Sequence, residues 1–197
     1  MASDSRGLTQ LKKFAAEIPD ERETLALLQQ LEQHDSARGS DRLAALLAAA
    51  FVENALRVAL LSRFRPDEKG KGHMELFEGD NAPLRDFAAK ISVGYVLRLF
   101  GQETLSDLQC IKGVRNVFAH SLMTMDFTTP QIVEVCSHLQ SHRRLTLAGG
   151  GGTDSAKEKY IRCASYITGG LKRIALLTTP EIRLHAHYII PAKTQLR

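Results

Sequence analysis

Apolar residues recur along most of this chain at the three- and four-residue intervals of an amphipathic helix. Leu8, Leu11, Phe14, Ala15 and Ile18 mark a first short helix, which Pro19 closes. Asp20 can cap a second, in which Leu25, Leu27, Leu28 and Leu31 share one side, and the turn formers of "HDSARGS" end it. The strongest element follows: "DRLAALLAAAFVENALRVALLSRF", residues 41–64, opened by Ser40 and Asp41. Its high helix propensity and wide apolar face predict a core spine, with Leu43, Leu46, Leu47, Phe51, Leu56, Val58 and Leu60 supplying bulk. Its internal polar residues Glu53, Asn54 and Arg57 face one way and read better as an internal hydrogen-bond network than as a cleft lining.

Pro66 ends that helix, and "PDEKGKGHMELFEGDNAP" has the glycines and charges of a long surface loop. Pro83 suits the first position of the next helix, with Gly101 as its stop. In "ETLSDLQCIKGVRNVFAH", Leu105, Leu108, Ile111, Val114, Val117 and Phe118 again keep helical spacing. Thr129 as cap and Pro130 at the first turn predict a short helix in "TTPQIVEVCSHLQSH". The run Gly149 to Gly152 reads as a linker, Asp154 as the cap of a long last helix able to kink at Gly169-Gly170. The tail from Glu181 alternates weakly around Leu184, Ala186, Tyr188 and Ile190 and reads as a short strand or irregular. Six or seven helices predict an all-α bundle in a single domain spanning residues 1–197, a length that can bury a core without disulfides or metal.

Composition narrows the function classes. Aromatics are 6% of the chain, too few for a dedicated base-stacking binder. A net charge of +4 permits contact with a polyanion without requiring it. Cys110, Cys136 and Cys163 lack any CxxC spacing and fit reduced thiols in a cytoplasmic protein, and no apolar run reaches the length of a membrane span. No cofactor motif is present: the glycine run lacks the strand and Gly-Lys-Ser/Thr of a nucleotide loop. His138 and His142, with Cys136 nearby, could chelate a metal but lack a second ligand pair, and His185 and His187 could do so as alternate residues of a strand; no metal site is expected.

The candidate chemistry lies in "IKGVRNVFAHS". Arg115 can grip a phosphate by paired hydrogen bonds, His120 can move a proton near neutral pH, and Asn116 can orient either partner. Together they suffice for metal-independent cleavage of an RNA backbone, with His120 as general acid or base and Arg115 stabilising charge on phosphorus. Five residues separate them, about 140° of rotation and 7.5 Å of rise on a straight helix. The pair therefore meets only if the helix ends at His120 and lets it swing back. The competing reading is an ordinary helix terminus, with Arg115 paired to Asp107 or Glu103 and the histidine favoured by the helix dipole.

The stretch "GVRNVFAHS" resembles the signature of HEPN domains, helical bundles with an R-x4-6-H motif near the end of one helix. More widely, residues 40–137 resemble the mannitol operon repressor family, a bacterial group related to HEPN, through Gly79, Asp80, Pro83 and Leu84 and the Arg-Asn-x-Phe-Ala-His run. The resemblance implies a HEPN-like core over residues 40–137 with terminal extensions 1–39 and 138–197. It implies a negative regulator of transcription acting through a protein partner or RNA as a homodimer. Nothing in the sequence suggests a helix-turn-helix, so sequence-specific DNA binding is not expected. The alternative it implies is a HEPN-type ribonuclease, of the toxin or defence kind, using Arg115, Asn116 and His120.

Overall fold

The computed structural model describes residues 38–64, 73–123, 125–141 and 154–177, together with three isolated helical, exposed positions, Arg22, Ala26 and Gln29. The expected N-terminal helices otherwise, the Gly149–Gly152 linker, the tail and His142, His185 and His187 lie outside the described residues. Every regular element described is helical: α1 (Arg38–Leu61), α2 (Met74–Phe77), α3 (Phe87–Val96), α4 (Gln102–His120), α5 (Pro130–Ser137) and α6 (Ala156–Leu177). The chain is an all-α bundle, as the periodicity predicts.

Its centre is the long pairing of α1 with α6. Of the bulk expected on the α1 spine, Leu56 and Leu60 are fully buried, but the N-terminal leucines are not. Leu43 is 52% exposed, and Leu46 and Leu47 are only partly covered. The buried seam runs instead through Ala45, Ala48, Val52, Ala55 and Ala59, spaced three and four residues apart, with Leu56 and Leu60 beside it. Small side chains let α6 approach closely, and α6 supplies the volume through Tyr160, Ile161, Ile167 and Leu171. The Tyr160 hydroxyl donates to the Ala45 carbonyl at 3.0 Å and to the Ile111 carbonyl at 3.4 Å, so one buried side chain joins α6, α1 and α4.

α1 begins at Arg38, earlier than expected, which leaves Asp41 inside its first turn. The Asp41 carboxylate, almost fully buried, accepts the Phe127 N–H at 3.0 Å and pairs with Lys157 Nζ at 3.1 Å. Glu53 pairs with the buried Lys90 of α3, while Arg57 pairs with Glu78 at 2.8 Å and lies 5.5 Å above the Phe77 ring. Two of the three polar residues on α1 thus form internal ties to its neighbours. Part of the expected long loop is the α2 turn, anchored by buried Phe77 against Phe64.

Pro83 does not start α3. The Leu84 N–H bonds back to the Leu76 carbonyl at 2.8 Å, holding residues 82–86 in turns, and the helix begins at Phe87 with Asp86 at its cap position. Nor does Gly101 stop it. The end is a Schellman turn, with Leu99 N–H on the Gly94 carbonyl at 3.0 Å and Arg98 N–H on the Tyr95 carbonyl at 2.9 Å. Arg98 occupies its left-handed position, at φ 56°. Gly94 is demanded by packing, because a Cβ there would lie 2.8 Å from the Phe100 ring.

α4 buries Leu108, Ile111, Val114 and Phe118, as its pattern predicts, while Val117 turns outward. α5 starts as predicted, with Thr129 at the cap and Pro130 in the first turn. Asp107 of α4 is fully buried and accepts the N–H groups of Gln140 at 3.0 Å and Ser141 at 2.8 Å, fixing the chain as it leaves α5. α6 is capped by Ser155 rather than Asp154. Ser155 and Glu158 form a capping box, each side chain accepting the other's backbone N–H, at 3.3 and 2.7 Å. Asp154 instead receives Arg162 at 2.7 Å, and α6 runs uninterrupted through Gly169 and Gly170.

Candidate functional site

Arg115, Asn116 and His120 all lie in the last two turns of α4. Arg115 is partly buried, and Asn116 and His120 are exposed. The Arg115 Nη1 donates to Asn116 Oδ1 at 3.0 Å, so the structure brings these two together. His120 is the final helical residue, with Ser121 as C-cap and the Ser121 N–H still bonded to the Val117 carbonyl at 3.0 Å. It therefore keeps its helical direction, about 140° around the axis from Arg115. Among the described residues no hydrogen bond joins His120 to Arg115 or Asn116. Asp107, the acid considered for Arg115, is occupied by the two amides after α5.

A further residue belongs to this end of α4. Arg42 of α1 is exposed, and its Nη2 donates to the Ser121 carbonyl at 2.8 Å, one residue beyond His120. Sequence reasoning passed over it because 79 residues separate the two positions. One local signal was present: a cation near a helix N-terminus opposes the helix dipole and calls for another reason to be there.

Beside these residues, α4 and α5 enclose an apolar groove of about 450 Å³ lined by Gln109, Cys110, Gly113, Val117, Ile132 and Val135, among others. Val117 and Val133 are 46% and 43% exposed. Gly113 lies on its α4 wall, and a Cβ added there would meet nothing within 4 Å. Packing within the chain therefore does not require a glycine, although glycine in a helix interior costs roughly 0.5–1 kcal/mol relative to alanine.

The three cysteines are free. Burial raises the pKa of Cys110, with Asp107 adding to it, and burial pushes Cys136 up to about 12. Cys163 is raised too, first by burial and then by Asp107. These thiols stay protonated and are packing groups rather than nucleophiles. His138 is exposed at the end of α5 while Cys136 is fully buried, so the two face different surroundings. Among the described residues no group of three or more potential ligands is placed to hold a metal. α1 is long and apolar enough to cross a membrane, but its apolar face is the one packed on α6.

No family model matches the chain, and no curated protein matches it. Among solved structures, it is similar to the crystal structure of a possible transcriptional regulator, YggD, from Shigella flexneri 2a str. 2457T. The two are 16% identical, with a TM-score of 0.56 over 79% of this chain and 98% of that one. At that identity the likeness is one of fold.

Proposed function

We propose that this chain is a cytoplasmic regulatory protein of the mannitol operon repressor kind, which lowers transcription through a partner rather than by reading DNA bases. The observation that carries the reading is the open α4–α5 groove, an exposed apolar surface with a helical glycine at its wall. The fold shared with a possible transcriptional regulator supports it. A ribonuclease needs an arginine and a histidine converging on one cleft, whereas here Arg115 is tied to Asn116 and His120 keeps to another flank of α4. In this reading the chain works as a two-fold dimer and takes a protein or RNA partner.

The test is a strain lacking the chain, complemented with wild type or with Val117→Glu, a change at a half-exposed position on the groove wall. Transcripts of a mannitol transport operon are expected to rise in the deletion, to fall again with wild type, and to stay high with Val117→Glu. Purified protein is expected to bind operator and random DNA alike. Full repression by Val117→Glu, or specific retention of the operator by the protein alone, overturns the reading.

A further inference from the structure

α4 ends at His120 and α5 begins at Pro130, so the loop between them stands at one end of the groove that the two helices enclose. Val117 and Gln131, near that loop on either helix, both line the groove. Leu122 of the loop is 102% exposed, more than any other large apolar residue described, and Met123 beside it is 76% exposed. At full exposure Leu122 is not in its own chain's groove.

These two side chains are held outward by their own backbone. The Ser121 carbonyl accepts Arg42 Nη2 at 2.8 Å, and the Met123 N–H donates to Ser121 Oγ at 3.1 Å. A leucine kept in water forgoes the stabilisation that burial gives, while a loop already ordered loses little freedom when something covers it. No residue lining the groove carries a charge, and neither do Ser121, Leu122 and Met123. Bringing the two together strands no ion away from water.

Their spacing along the chain suits a two-fold contact. Gly113 on the groove wall and Leu122 on the loop lie four and five residues to either side of Val117, which is 46% exposed. A two-fold axis passing by Val117 sets α4 antiparallel to its copy and brings each loop beside the other copy's Gly113. Space is free there, since a Cβ added to Gly113 would meet nothing within 4 Å.

We infer that the occupant of the α4–α5 groove is a second copy of this chain, whose Leu122 and Met123 enter it while its own groove receives the same pair from the first copy. This rests on the reading of the groove as a docking surface and names what docks. Each groove is complete only in the pair, and a regulatory partner meets two chains rather than one.

Sedimentation equilibrium of the full chain tests it. Wild type is expected to pair below roughly 100 µM. Leu122→Asp removes the plug and Gly113→Leu fills the recess; a two-fold contact uses each patch twice, so a loss of about tenfold per patch weakens either variant's pairing about a hundredfold. Mixing the two variants restores one intact plug and groove out of two, and the mixture is expected to pair about tenfold more tightly than either alone. A monomeric wild type, a variant that pairs as wild type does, or a mixture no tighter than its parts overturns the inference. Should Gly113→Leu not fold, Leu122→Cys decides. Diamide, taking up two electrons and two protons, is then expected to join the introduced thiol to Cys110 on the other copy's groove wall, and no covalent pair is expected once Cys110→Ser is added. Absence of that link overturns the inference as well. Pairing of this kind with transcripts unchanged on deletion leaves the inference standing without the regulatory reading, and a monomeric wild type whose repression Val117→Glu abolishes does the reverse.

Discussion

The α1–α6 seam and the α4–α5 groove are built from the same kind of residue with opposite results. Along α1, Ala44, Ala45, Ala48, Ala49, Ala55 and Ala59 are covered to 1% exposure or less, because Tyr160, Ile161, Ile167 and Leu171 fill the space they leave. Along α4, Ser106, Cys110 and Gly113 also keep one face small, yet α5 covers only part of it. α5 spans eight residues against nineteen in α4, too short to close the length of that face. Small residues thus mark where a helix expects close approach, and the chain itself supplies the approaching element in one place but not in the other.

The comparison can be broken by substitution. Leu56→Ala removes a fully buried side chain at the seam and is expected to cost about 2–5 kcal/mol, while Leu43→Ala on the exposed flank of the same helix stays within roughly 0.5 kcal/mol. Denaturant unfolding of both variants checks this, and equal losses would contradict the alanine seam. Ala48→Leu inserts bulk where α6 lies close and is expected to destabilise by about 1–3 kcal/mol. The matching change on the groove goes the other way: Gly113→Ala meets empty space and is expected to stabilise the isolated chain by roughly 0.5–1 kcal/mol. Thermal midpoints of this pair should therefore move in opposite directions.

The smallest effect concerns the start of α6. The backbone and side-chain hydrogen bonds of Ser155 hold the Glu158 carboxyl below its usual pKa, with Arg162 adding to them and slight burial opposing. A carboxyl lowered in the folded state adds stability that is present above its unfolded pKa, about 4.3, and is lost as pH falls through the folded value. Amide exchange in the first turn of α6 is expected to quicken below about pH 4, and Glu158→Gln to flatten that dependence.

The helices were legible where the signal is local. The apolar spacing of α4 and the Thr129-Pro130 start of α5 need no knowledge of the rest of the molecule. What escaped sequence reading depends on distant partners. Leu43, Leu46 and Leu47 look as much like the core of α1 as Leu56 and Leu60 do, until the large side chains of α6 are seen packed on the face of Ala45 and Ala48 instead. Pro83 looks like a helix start until Leu84 is seen bonded to Leu76. Gly101 looks like the stop of α3 until the turn is seen to close earlier, with Leu99 bonded back to Gly94 and Arg98 in the left-handed position. At the candidate site the motif residues were legible one by one. Their geometry was not, since the direction of His120 depends on α4 holding its last turn, and Arg42 arrives from another helix.

Asp41 fastens three stretches far apart in sequence: the start of α1, the loop at Phe127 and the first turns of α6 at Lys157. A carboxylate shared in this way makes local fraying costly, because freeing any one stretch exposes a charge that the other two still hold buried. The loop beyond His120 should then open only together with the ends of α1 and α6, as one cooperative unit. Its amides should exchange with solvent at the rate of that whole end of the bundle, slowly for an exposed turn, and the surface around Leu122 and Met123 inherits the same rigidity.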